Sequence, residues 1–279
     1  MKTIAKSIFC ALYKYSGILR AWESLSRRPF LSVLLFHRVT DEIPEDGLTV
    51  STGRFRRMCW LFQRHFHVVS LSEIFRLHRS GEAFPRRTLA ITFDDCYRDN
   101  LDAARVLTDH GLPACFFIPT AYVGTNHVFD WDRDKKQLAN LTWDNIRDMV
   151  RMGHEIGSHT CTHPDMARIP MEQARRELVE SKDTLERQLG RPPRWFAYPF
   201  GGKENFRSEL LPLLKEAGYE GCLSAHGGAL YPGDPAPIVP REPVPAFPTI
   251  LNLELHLRGG LNWLYGLKRR MGLLRSPSH

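Results

Sequence analysis

Apolar and polar positions along the chain alternate between two periods. Short apolar runs that read as buried strands recur at Phe30–Phe36, Val68-Val69, Arg87–Ile91, Ala114–Pro119, Glu155–Ser158, Trp195–Tyr198 and Glu220–Ser224. A further strand is expected in the Pro-rich segment 232–248, near Pro237–Arg241. Between the runs lie stretches of helical spacing: Gly53–His65 with Thr52 as its cap, Leu71–Arg79, and Tyr97 to about His110. Others run from Thr142 to Met152 ending at Gly153, from Pro170 to Leu189 stopped by Gly190, and over Phe206–Ala217. Strands thus alternate with helices about seven times, and the polar residues fall where strands end. That pattern predicts an α/β fold, a (β/α) barrel with its site at the C-terminal face of the strands. No internal repeat or low-complexity segment interrupts it.

The two ends read differently. Residues 1–29 form an expected basic amphipathic helix, with Ile4, Ile8, Leu12, Tyr15, Leu19 and Trp22 at helical spacing. Residues 251–279 form an expected basic helical tail, leaving 30–250 as the main folded domain. The formal charge is +7, yet residues 1–28 carry six Lys/Arg against Glu23, and residues 255–279 carry five Lys/Arg and no acid. The middle is therefore acidic, which argues against nucleic acid, whose binders put the basic patch on the folded domain. Two readings of the ends stay open: contact with an anionic membrane surface or polyanionic glycan, and solvated helix faces with no partner. Lys14 breaks the apolar stretch and no small-x-small site follows it, so the start is a poor signal peptide and a cytoplasmic location is expected. The six cysteines are scattered without a CxxC pair, which suits buried thiols.

The candidate chemistry begins at Thr92-Phe93-Asp94-Asp95, where a strand ends and a helix opens. Adjacent carboxylates there suit two tasks, one binding a metal and one moving a proton; an N-cap is the plainer use of Asp. His159 and His163, with three residues between them, can converge on one metal, and Asp95 completes a two-His, one-carboxylate set with coordination sites left open, the catalytic type. Such donors suit Zn²⁺, with Co²⁺, Ni²⁺, Mn²⁺ or Fe²⁺ also able to bind. Asp94 is then the natural general base.

Three motifs in order, Thr92-Phe93-Asp94-Asp95, Ser158-His159-Thr160-Cys161-Thr162-His163-Pro164 and Phe196-Ala197-Tyr198-Pro199-Phe200-Gly201, resemble those of the NodB-homology polysaccharide deacetylases, carbohydrate esterase family 4. The resemblance implies a distorted (β/α)7 barrel and metal-dependent removal of N-acetyl groups from amino sugars of a polysaccharide or lipid-linked glycan. It implies Asp94 as base and Asp95, His159 and His163 as ligands. Pro199, Phe200 and Gly201 would line the site, the Phe200 N–H acting as an oxyanion donor; Tyr198, Trp131 and Arg241 join them as candidate substrate-binding residues. Departures exist. Ala197 stands where the family commonly has an Arg that tethers the base, a part for which Arg241 is a candidate. Cys96 stands where Gly is common, and a late Leu-x-His motif is not evident, although His226 and His256 are present. Leu35-Phe36-His37-Arg38-Val39 resembles the early His element of the poly-N-acetylglucosamine deacetylase branch, which makes His37 the candidate general acid. An O-acetyl esterase, an N-deformylase and a decayed glycan-binding module remain alternatives.

Overall fold

The computed structural model describes residues 29–234 and 238–260, with Ser16, Gly17 and Leu19. The chain divides into two compact units, residues 30–246 and the two ends together. In the first unit the strands are β1 (Leu31–Phe36), β2 (Arg38–Val39), β3 (Thr49–Val50), β4 (His67–Val68), β5 (Thr88–Phe93), β6 (Cys115–Ile118), β7 (Glu155–Ser158), β8 (Trp195–Ala197), β9 (Gly221–Leu223) and β10 (Glu242–Pro243). Its helices are α1 (Thr52–His65), α2 (Leu71–Ser80), α3 (Asn100–Asp109), α4 (Trp143–Arg151), α5 (Met171–Leu189) and α6 (Leu210–Glu216).

All pairings in the main sheet are parallel, in the order β10-β1-β5-β6-β7-β8-β9, with β4 added beside β5. Parallel strands are covered on both faces, which is why they read as continuous apolar runs. The sheet curls until its last stave is shared. Val239 bridges Leu223 of β9, and Glu242 and Pro243 pair with Leu34 and Leu35 of β1. The result is the distorted (β/α)7 barrel.

Alternation sorts the side chains. Leu31, Val33, Ala90, Cys115, Phe117, Trp195, Ala197 and Leu223 share one interior cluster, which Phe75 of α2 joins by stacking on Trp195 at 4.3 Å. Small residues make room for those rings: a Cβ on Gly157 would lie 2.3 Å from the Phe117 ring. On the outer parity, Phe36, Phe93 and Phe116 stack in a row, and Phe55 of α1 meets the first two edge-on.

Several expectations shift. The helix expected from Tyr97 begins only at Asn100. Asp95 and Cys96 take positive φ, which no helix continues from, and Tyr97 instead bridges Asn140 across an antiparallel contact. The strand expected near Pro237–Arg241 is the split stave just described, and the helix expected over Phe206–Ala217 is shortened to α6. Ser51, not Thr52, is the N-cap of α1. Thr142 caps α4 with a reciprocal pair, its side chain accepting from the Asn145 N–H and Asn145 accepting from the Thr142 N–H.

In the other unit the described part is helix α7 (Ile250–Leu257), where Leu251 and Leu255 pack with Leu19. The rest of the basic ends lies outside the described residues. No helix among the described residues is long and apolar enough to cross a membrane.

Candidate metal centre

Three chemistry-bearing residues extend the inward parity of their strands by one step. His37 follows Leu35, Asp94 follows Thr92, and His159 follows Gly157, so each side chain caps the barrel interior. Asp95 would point outward by the same rule. Its φ of 75° breaks the alternation and brings its carboxylate to the site beside Asp94. Thr160, His163 and Phe200 also sit in the left-handed region. Backbone held there costs energy for side chains other than glycine, and at this protein's strand ends it is concentrated around one group of residues.

That group is compact. Asp95 Oδ1 lies 3.4 Å from His159 Nε2 and 3.3 Å from His163 Nε2. One ligand atom from each of the three falls within 4.8 Å of the others, and all three residues are buried. His159 Nδ1 contacts the Ala197 carbonyl at 2.8 Å; a carbonyl only accepts, so Nδ1 carries a proton and Nε2 is the nitrogen turned toward Asp95. Glu177, buried on α5, accepts from the N–H groups of Cys161 and Thr162 and from the Thr162 hydroxyl at 2.6–2.8 Å, fixing the loop that carries both histidines. Asp95 Oδ1 accepts no hydrogen bond although it is buried. An unpaired carboxylate oxygen between two imidazole nitrogens fits a divalent cation in both chemistry and placement.

Asp94 is differently held. Both its oxygens accept from Arg241, Oδ1 from Nη1 and Oδ2 from Nη2, at 2.7 Å each. Arg241 is fully buried, donates Nε–H to the Ser224 carbonyl at 2.6 Å, and lies 5.3 Å over the Phe117 ring. Burial works to raise the Asp94 carboxyl, but the Arg241 charge, aided by His159, brings it below the ordinary value. For Asp95 burial acts likewise, and the two imidazoles hold it well below the carboxylate range. His37 Nε2 lies 3.9 Å from Asp95 Oδ2; burial pushes its imidazole below the usual value against the pull of Asp95 and Asp94.

The other candidates separate. Phe200 is 52% exposed and packs edge-on to His163 at 5.0 Å and to Trp131 at 5.9 Å. Gly201 has φ 64°, and a Cβ there would meet the Ala225 backbone nitrogen at 2.5 Å, so this turn has no room for a side chain. Pro199 is buried beside them. Tyr198 points away from the site, into the core with Phe196, Phe206 and Tyr219. Arg241 reaches Asp94 from inside the barrel and, being fully buried, offers no surface to a substrate. Cys96 is buried, and burial with the Asp95 charge pushes its thiol up, which disfavours a thiolate.

Sequence reasoning missed Arg38, Tyr97, Asp132 and Glu177. A sign for Glu177 existed: it falls on the apolar stripe Ala174, Leu178, Leu185 of α5, where an acid needs a partner.

The sequence model of the family described as polysaccharide deacetylase matches residues 81–222. The putative polysaccharide deacetylase YxkH of Bacillus subtilis is 24% identical over 75% of this chain and 69% of its own length. The poly-beta-1,6-N-acetyl-D-glucosamine N-deacetylase of Escherichia coli is 24% identical over 69% of this chain, which spans 33% of that protein. Among solved structures, IcaB from Ammonifex degensii superposes with a TM-score of 0.65 at 24% identity, covering 76% of this chain and 91% of that one, a likeness of fold.

Proposed function

The chain belongs to the polysaccharide deacetylase family, and we propose that it hydrolyses the acetamide of N-acetylated sugars in a glycan, releasing acetate and leaving a free amine. The observation that carries this reading is the convergence of Asp95, His159 and His163 on one unpaired carboxylate oxygen, with Asp94 adjacent and separately clamped. A divalent cation held by those three, Zn²⁺ on the nitrogen-rich donor set, would supply Lewis acidity toward an acyl oxygen and a water.

The remaining work falls to the chain. Asp94 accepts the proton of the attacking water; its pairing with Arg241 keeps it ionised and fixes its orientation, so little is spent on aligning it during the reaction. His37 holds a proton for the amine nitrogen as the C–N bond breaks. The Phe200 N–H stabilises charge on the acyl oxygen. The half-buried Trp131 and exposed Phe200 offer apolar faces to the sugar. A lipid-linked glycan would bring the enzyme to a membrane, and the basic ends are the proposed contact with its anionic surface.

The test is mass spectrometry of N-acetylglucosamine oligomers incubated with the zinc-loaded full chain. The expected result is loss of acetyl groups, reduced roughly 10²- to 10⁴-fold in Asp94→Asn with zinc content unchanged. Undiminished turnover in Asp94→Asn would remove that residue from the chemistry. Release of acetate from O-acetylated sugars alone would overturn the N-deacetylase reading.

A further inference from the structure

Trp131 sits on a single 3-10 turn, Asp130–Asp132, in the long connection between β6 and α4. A side chain on such a segment would ordinarily be loosely placed. Its indole is instead tied down through a chain of hydrogen bonds. Trp131 Nε1–H donates to the Tyr97 hydroxyl oxygen at 3.1 Å. The Tyr97 hydroxyl donates to Asp132 Oδ2 at 2.5 Å. Asp132 Oδ1 accepts from Arg38 Nη1 and, at 3.2 Å, from Lys135. Arg38 Nη2 reaches Asp46 at 3.0 Å, and its guanidinium lies 5.2 Å from the centre of the Tyr97 ring. Arg38 is 1% exposed and directly follows His37.

The far end of this chain is an aromatic surface. The Trp131 ring stacks on Phe129 at 4.6 Å and meets His163 edge-on at 5.5 Å and Phe200 at 5.9 Å. Phe200 is exposed on backbone in the left-handed region, an arrangement that costs stability and persists only where the surrounding structure over-determines it. Burying a guanidinium between two carboxylates is likewise a poor source of stability, and its best use is to specify one arrangement.

We propose that Arg38, acting through Asp132 and Tyr97, is a positioning residue for the Trp131 indole, so that Trp131 and Phe200 form a fixed aromatic wall for the apolar C–H face of a pyranose ring beside His163. The proposal rests on the glycan reading above and adds to it the residues that set where the sugar lies. The wall and His37 are thereby registered to adjacent positions of one strand end, His37 and Arg38.

The experiment uses the zinc-loaded full chain with an N-acetylglucosamine oligomer, comparing wild type with Tyr97→Phe, Trp131→Phe and the double variant, and reading turnover and equilibrium binding by intrinsic fluorescence or NMR. Tyr97→Phe keeps the ring and removes both the acceptor for the indole and the donor to Asp132. It should raise KM and the dissociation constant about three- to tenfold, with kcat within about twofold and zinc content unchanged. The double variant should be no weaker than Trp131→Phe, because the two act in series. Arg38→Lys, which keeps charge and loses the fork, should move KM in the same direction. Unchanged KM and binding in Tyr97→Phe would overturn the proposal, as would a fall in kcat accompanied by loss of zinc. If wild type releases no acetate, the proposed activity fails; the wall is then judged on binding alone, where equal affinity of wild type and Tyr97→Phe refutes it.

Discussion

The cluster around Arg38 and the cluster around Asp95 are both groups of opposite charges, starting at the neighbouring residues Arg38 and His37. In the second, Asp94, Asp95, His159 and His163 are all buried, while in the first Arg38 and Asp132 are buried and Asp46 and Lys135 half-buried. Around Arg38 the carboxylates are answered from within the chain: Asp132 takes Arg38, Lys135 and Tyr97, and Asp46 takes Arg38, Lys135 and the Leu48 N–H. Around Asp95 one oxygen is left without a hydrogen bond between two imidazoles, while the neighbouring Asp94 is fully engaged by Arg241. The two clusters thus differ in how their acids are satisfied, and the Asp95 cluster is the one proposed to hold a cation. A buried polar atom without a partner is costly; Arg38 Nε also lacks one, so the contrast lies in the carboxylates of the two clusters and not in every polar atom.

The largest effect should come from breaking the engaged half of the site. Arg241→Met would leave Asp94 buried and unpaired, and a loss of roughly 3–5 kcal/mol in urea unfolding is expected; a loss below about 1 kcal/mol would mean that Asp94 finds water or another donor. Next, zinc at about 100 times its dissociation constant should add about 2.7 kcal/mol of stability to wild type and none to Asp95→Ala, read from thermal unfolding with and without metal. An equal gain in the variant would place the ion elsewhere. In the closed cluster Asp132→Asn should cost about 1–3 kcal/mol while leaving zinc binding unaltered, since only shape depends on it; a shifted zinc affinity would show that the two clusters are coupled.

The smallest effect belongs to an open counterpart, Glu220 with Arg194 and Arg79. Hydrogen bonds from Arg194, followed by those from Arg79, lower the Glu220 carboxyl from 4.5 to about 2. The folded protein therefore binds this proton less readily than the unfolded chain. The stabilisation is complete above pH 4.5 and disappears as pH falls through about 2. Because the group is solvent-exposed, Glu220→Gln should cost less than about 1 kcal/mol at pH 7, and its stability curve should join that of wild type in acid. A larger difference at neutral pH would show that exposure does not screen this pair.

Much of the barrel was legible because buried parallel strands announce themselves as apolar runs and helix ends carry local signals, as at Thr142 and Gly190. The His-x-x-x-His loop and the paired aspartates were legible for the same reason: their spacing is local. What escaped lies in long-range pairing. Arg38 and Asp132 are 94 positions apart, so neither partner marks the other along the chain; Arg241, 147 positions from Asp94, was a candidate partner only through the family resemblance. Tyr198 escaped for a different reason. Its place beside Pro199 and Phe200 suggested the site, but strand parity turns it outward into the core, while Asp95 comes inward only through a positive φ that composition does not reveal.

The shared last stave carries a final implication. Arg241 stands between Val239, which touches β9, and Glu242, which touches β1, so the residue that grips Asp94, the proposed base, also straddles the seam of the cylinder. Asp94 is thus left unclasped in any chain whose wall has not met itself, so on the proposed mechanism competence for hydrolysis would arrive with the closing of the ring.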